Sequence, residues 1–175
     1  MGGGTIIQFT VANRERVNKI VLVDPAAMPN PLPIMGRISN LPGVGELMYG
    51  LRGNFIRKMV LGNTFLHKKE NITDSYFENA TRFHKIQGST EVMLAITRKR
   101  FFYTLLEQVY ALGEMDVPIL IVWGRQERSI PVDRGIEMHK ILKDSRLEIL
   151  DDAGHCPHDD QPELFNQLAI DFLSG

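Results

Sequence analysis

This sequence of 175 residues is short of several things, and each shortage excludes something. It has a single cysteine, Cys156, so no internal disulfide can form, which fits a reducing compartment. It has almost no net charge, −1 at neutral pH, which gives no reason to expect nucleic acid or an anionic membrane surface as partner. No apolar run approaches the ~20 residues that a membrane-spanning helix requires, and the chain reads as cytosolic. The basic runs His67-Lys68-Lys69 and Arg98-Lys99-Arg100 read as solvated helix faces. The sequons at Asn71 and Asn79 have no signal peptide ahead of them and read as unused.

What is present is a core-forming composition, 43% apolar with 23% charged. Three apolar runs, Val17 to Asp24, Val117 to Trp123 and Arg146 to Leu150, predict strands. The first two are nearly continuous and rich in Val and Ile, the pattern of parallel strands buried on both faces. Helical stripes are predicted from the start of the chain through Val11, over Val132 to Leu142 and over Pro162 to Leu173. Strands alternating with helices imply right-handed parallel crossovers. Residues 1–24 and 113–175 are therefore predicted to form one α/β layer. Residues 25–112 differ: prolines and glycines crowd 25–45, and Met- and Phe-rich helical pattern fills the rest. This stretch is predicted to be a helical lid over the carboxyl ends of the strands, where ligands bind in open α/β sheets.

Two of these strand ends carry chemistry. ILIVWGRQERSIP, residues 119–131, delivers Glu127 three residues past Gly124, and LEILDDAGHCPHDDQP, residues 147–162, delivers His155 directly after Gly154. Adjacent parallel strands end at one edge of the sheet, so carboxylate and imidazole are expected to meet there. A carboxylate on one ring nitrogen fixes the tautomer and frees the other nitrogen to act as a base. Asp24, at the end of the first strand, is the alternative acid. His155, Cys156, His158, Asp159 and Asp160 are all potential metal ligands, but their spacing fits no standard zinc pattern and no metal is expected. Cys156 fails as a nucleophile, because His158 stands where an elbow would need glycine. Gly2-Gly3-Gly4 lacks the preceding strand and the spacing of a phosphate loop, and no cofactor is expected.

The strand–Gly124–x–x–Glu127–x–x–x–Pro131 loop and the Gly154-His155 pair, with a lid insertion ahead of them, resemble the α/β-hydrolase family over essentially the whole chain. Asp is the commoner acid there. The Gly-His-Cys-Pro-His-Asp stretch resembles the branch of ester, epoxide and carbon–carbon bond hydrolases. The resemblance implies a partial α/β-hydrolase fold of about three parallel strands, flanking helices and the inserted lid. It further implies that Glu127 and His155 are the acid and histidine of a catalytic triad, acting on a small apolar substrate. Trp123, Phe101 and Phe102 are then expected to line the substrate site. The family's nucleophile sits in a Gly-x-Ser-x-Gly elbow before a helix, and Met1-Gly2-Gly3-Gly4 resembles the end of that elbow. The nucleophile would then precede Met1, whose backbone nitrogen would occupy an oxyanion-donor position. No Gly-x-Ser-x-Gly occurs elsewhere in the sequence. The expectation is a truncated hydrolase, inactive alone, with a binding protein or half of a split hydrolase as the alternative. Strand 17–24 is expected to offer its edge for self-association or for a complementing amino-terminal half.

Overall fold

The computed structural model describes residues 1–32, 34–50, 53–99 and 105–175. Its centre is a three-stranded, all-parallel sheet in the order β1-β2-β3, with β1 at Ile20–Val23, β2 at Ile119–Gly124 and β3 at Ser145–Leu150. The helices are α1 (Gly2–Ala12), α2 (Ile34–Ser39), α3 (Val44–Gly50), α4 (Asn54–Val60), α5 (Asp74–Thr81), α6 (Ser89–Arg98), α7 (Leu106–Gly113), α8 (Val132–Ile141), α9 (Pro157–Asp160) and α10 (Pro162–Ser174).

β2 is continuous in apolar character because it is central, and every one of its residues is buried. The two-residue period of the strand divides those residues between two cores. Ile119, Ile121 and Trp123 pack with Ile7 of α1, Val109 and Leu112 of α7, and Met138 of α8. Leu120 and Val122 face the other way, where Phe165, Leu168 and Phe172 of α10 cover them at helical spacing. Helices thus cover both faces, the layering that parallel sheets need. β3 carries Arg146 and Glu148 as neighbouring partners, in keeping with its place at the rim. Among the described residues β1 pairs on one side only, with β2.

Gly135 is the residue that lets α8 lie against the sheet. A Cβ there would stand 2.6 Å from the Trp123 ring, so the indole fills the space of the missing side chain. Trp123 is completely buried and its N–H donates to the Ile130 carbonyl at 3.3 Å.

The boundary of the insertion differs from the sequence expectation. Leu105, Val109 and Leu112 belong to the main core, and α7 packs on α1 and α8. The helix that leads into β2 is therefore part of the α/β layer, which begins by Leu105 rather than at 113. The described remainder of the insertion consists of short helices, α2 to α6, with turns between them. None exceeds ten residues, as the prolines and glycines of the segment foretold for its first part. No helix among the described residues is long and apolar enough to cross a membrane.

Candidate active site

The carboxyl ends of β1, β2 and β3 lie side by side, and each passes straight into a residue with a polar side chain or a loop that carries one. The loops after β2 and β3 are laced together by backbone. Arg125 N donates to Leu150 O at 2.9 Å, Gln126 N to Ala153 O at 2.9 Å, and the Gln126 side chain accepts from Ala153 N at 3.1 Å. The approach is so close that a Cβ on Gly124 would stand 2.0 Å from the Gly154 carbonyl oxygen and 2.5 Å from that of Ala153. Gly154 in turn lies under Phe65 and His67, where a Cβ would come within 2.9 Å of the Phe65 carbonyl. Both motif glycines are therefore required by space rather than by turn conformation.

This lacing brings Glu127 and His155 into contact, with Glu127 Oε2 hydrogen-bonded to His155 Nδ1. The other oxygen, Oε1, accepts the Ser129 backbone N–H. The Glu127 side chain has no solvent-exposed surface, whereas 20% of the His155 side chain remains accessible. The acid is sealed and the imidazole is reachable. With Nδ1 donating to the carboxylate, Nε2 is the nitrogen left to take a proton. The Phe65 ring meets His155 edge-on, with centroids 5.5 Å apart.

Asp24 stands next to this pair. It is 2% exposed, its Oδ1 accepts the Gly124 N–H at 3.3 Å, and donor atoms of Asp24, Glu127 and His155 all lie within 4.8 Å of one another. Burial pushes its carboxyl up to about 9, the Glu127 charge adds to the rise, and the Gly124 N–H opposes it. Burial likewise pushes the Cys156 thiol up to about 12, helped by the carboxylates of Asp159, Asp24, Asp160 and Glu127. Such a thiol is neutral and a poor nucleophile. Cys156, His158 and Asp159 also gather within 4.8 Å, but Asp159 is engaged by the Tyr76 hydroxyl at 2.7 Å.

Residues 63–76 are hydrogen-bonded to the segments that carry the pair. Asp160, 1% exposed, accepts three backbone N–H groups: Gly154 at 2.8 Å, His67 at 2.9 Å and Lys68 at 2.9 Å. Cys156 N donates to Phe65 O at 3.1 Å and the Asn71 amide donates to Asp159 O at 2.9 Å. On the acid side, the Arg128 guanidinium donates to Asn63 O at 3.1 Å. Residues 63–76 are thus tied to both loops.

The α/β-hydrolase family model, described as "Alpha/beta hydrolase family", matches residues 1–168. The chain belongs to this family. Among curated relatives, a 2-hydroxy-6-oxo-6-phenylhexa-2,4-dienoate hydrolase of Comamonas testosteroni is 28% identical over 99% of the chain. A 2-hydroxy-6-oxononadienedioate/2-hydroxy-6-oxononatrienedioate hydrolase of Pseudomonas putida is 29% identical over 99%. The chain spans 60% of the length of each. Among solved structures, a meta-cleavage product hydrolase from Pseudomonas fluorescens IP01 superposes with a TM-score of 0.78 at 19% identity, covering 98% of this chain and 61% of that one.

Of the residues singled out from sequence, the α/β-hydrolase fold brings together Glu127, His155 and Asp24. Met1 caps α1, and α1 sits hard against the residue after Asp24, a Cβ on Gly3 falling 2.5 Å from the Pro25 side chain. Burial lowers the Met1 amino group from its ordinary value, and Cys156, beside His155, acts on it in the opposite direction. Trp123 does not reach the site: it is core, without exposed surface, because the parity of β2 turns it toward Gly135. Phe101 and Phe102 lie outside the described residues. Sequence reasoning weighed Asp160 only as a possible metal ligand and missed it as the acceptor of three backbone amides, and it missed Phe65 and Ser129 as neighbours of the pair.

Proposed function

We propose that this chain carries the acid–base part of a hydrolase site, in which Glu127 orients His155 and His155 Nε2 accepts a proton from a hydroxyl nucleophile or from water. The observation that supports this reading is the hydrogen bond between sealed Glu127 and accessible His155 at the ends of adjacent parallel strands. The substrate class we propose is small and apolar, either ester-like or a 2-hydroxy-6-oxo-dienoate of the kind named for the relatives, with a carbon–carbon bond as the one cleaved. The nucleophile belongs at the amino-terminal end of α1, where the elbow resemblance places it, with the Met1 nitrogen in the oxyanion position. These 175 residues contain no serine in an elbow. We therefore expect them to turn over no substrate by themselves, since removing the attack step costs a factor on the order of 10⁶.

Nitrogen-15 spectroscopy of His155 tests the reading. The expected tautomer has its proton on Nδ1 and a bare Nε2; the opposite tautomer removes the base. Stoichiometric labelling by a serine-directed phosphonate, or turnover of an activated ester, would refute the inactivity of the 175 residues.

A second reading draws support from β1, which pairs on one side only among the described residues. Its free edge would take a strand from another copy or from a complementing half. Concentration-dependent sedimentation is the expected behaviour. A monodisperse, thermally resistant monomer would count against it.

A further inference from the structure

Asp24 closes β1 beside the Glu127–His155 pair, and its carboxyl is hydrogen-bonded to neither member. Its backbone sits at φ 39°, in the left-handed region that a residue with a side chain enters at a cost. The side chain is buried, yet only one of its oxygens is bonded: Oδ1 takes the Gly124 N–H, while Oδ2 has no hydrogen-bond partner. An ionised carboxylate in that position would leave a charged oxygen unsolvated and unpaired. It would also place two negative charges within 4.8 Å. Among the described residues no lysine or arginine pairs with either carboxyl. Among the described residues, the titratable groups beside Asp24 are Glu127 from the loop after β2, and His155 and the neutral Cys156 thiol from the loop after β3.

We propose that Asp24 and Glu127 form a carboxyl–carboxylate pair holding one proton between them behind His155, with Asp24 as the neutral member that donates to Glu127. The Glu127 oxygens each have a lone pair beyond those used by Ser129 N–H and His155 Nδ1, so an added O–H displaces neither bond. A spacing of up to 4.8 Å is spanned by a small rotation of the carboxyl or by one bridging water. Asp24 is in this sense a positioning residue: it fixes Glu127 from a second direction and leaves a single negative charge facing the imidazole. The proposal rests on the reading of Glu127 and His155 as acid and base.

The test is carbon-13 spectroscopy of the 175-residue chain with labelled aspartate carboxyls. Asp24 is expected to keep the shift of a protonated acid at neutral pH and to titrate at about 9, and Glu127→Gln is expected to move that transition down. Titration in the ordinary range, ~4, overturns the pair. The His155 Nδ1–H proton resonance supplies a readout of positioning. It should move in Asp24→Ala and stay in place in Asp24→Asn, which keeps a neutral donor on the same stem. An unmoved resonance in a folded Asp24→Ala overturns the positioning role; should that variant not fold, the titration of the unaltered chain decides. If Glu127→Gln leaves the His155 resonance unchanged, the acid–base reading itself fails and the pair falls with it. An ordinary Asp24 titration beside a responsive His155 sinks the pair alone.

Discussion

The α/β layer and the helical insertion differ in how completely they bury their apolar residues. Every residue of β2 is buried, and Trp123, Ile121 and Leu120 have no exposed surface. In the insertion, Phe55 is 81% exposed, Ile34 74% and Leu47 62%. Leu66 and Leu94 are nonetheless buried within it, Ala27 and Met28 at its start join the main core, and its contact with the site runs through Asp160 and the backbone of residues 65–68. The largest fully buried side chains are therefore concentrated in the layer, and residues 65–68 are tied to the neighbourhood of His155 by a few hydrogen bonds whose partners can be named. The chemistry follows the same division. Asp24, Glu127 and His155 stand at or just past the strand ends, and residues 65–68 are hydrogen-bonded to the segment that follows β3.

The largest expected effect lies in the layer. Trp123→Ala removes a fully buried indole that fills the space at Gly135, and should cost about 4 kcal/mol in urea unfolding. A loss under about 1 kcal/mol would mean that α8 collapses freely onto the sheet, and the contrast with the insertion would vanish. The joint between the regions comes next. Asp160→Ala strips the acceptor from three buried N–H groups and should cost about 3 kcal/mol. Hydrogen exchange should accelerate at the His67, Lys68 and Gly154 amides while those of β2 stay protected. Equal acceleration in β2 would show that the two regions unfold as one unit.

A pH-dependent effect separates the site from the rest of the layer. Unfolded, Asp24 ionises near 3.8; folded, it does so at about 9. Between those values the unfolded chain gives up a proton that the folded chain retains, so this residue makes stability fall as pH rises. The slope for one proton cannot exceed about 1.4 kcal/mol per pH unit. Asp24→Asn should flatten the stability–pH curve across that window and raise stability at its alkaline end. A slope that survives the substitution would assign the dependence to other groups.

Much of the layer was legible because its signals are redundant. A continuous Val/Ile run, a glycine at its end and a helical stripe after it all specify the same βα unit, and β2 and β3 formed within two residues of their expected starts. Glu127 and His155 could be placed for the same reason, since each follows a strand end at short range. What failed to show is instructive. Leu105 to Leu112 has the same helical pattern as the insertion before it, and only its packing on α1 assigns it to the core. Trp123 at a strand end suits a cleft or a core equally, and the missing side chain at Gly135, twelve residues on, decides the matter. Asp159 and Asp160 are adjacent and chemically identical, yet one binds a tyrosine hydroxyl and the other three backbone amides. Identity in sequence carries no information about which of two neighbours turns inward.

The smallest effect tests the insertion's side of the contrast. Phe55 and Trp123 are both large aromatic residues, and composition alone would rank them as comparable contributors to a core. At 81% exposure Phe55 loses little area from water on folding, so Phe55→Ser should change unfolding free energy by under about 0.5 kcal/mol. The same substitution should leave His155 unperturbed in nitrogen spectra, because residues 63–76 are tied down through other residues. A cost of about 2 kcal/mol or more would show that Phe55 is covered in solution, by another molecule or by another arrangement of α4. The division between a packed layer and a lightly anchored insertion would then have to be redrawn at that helix.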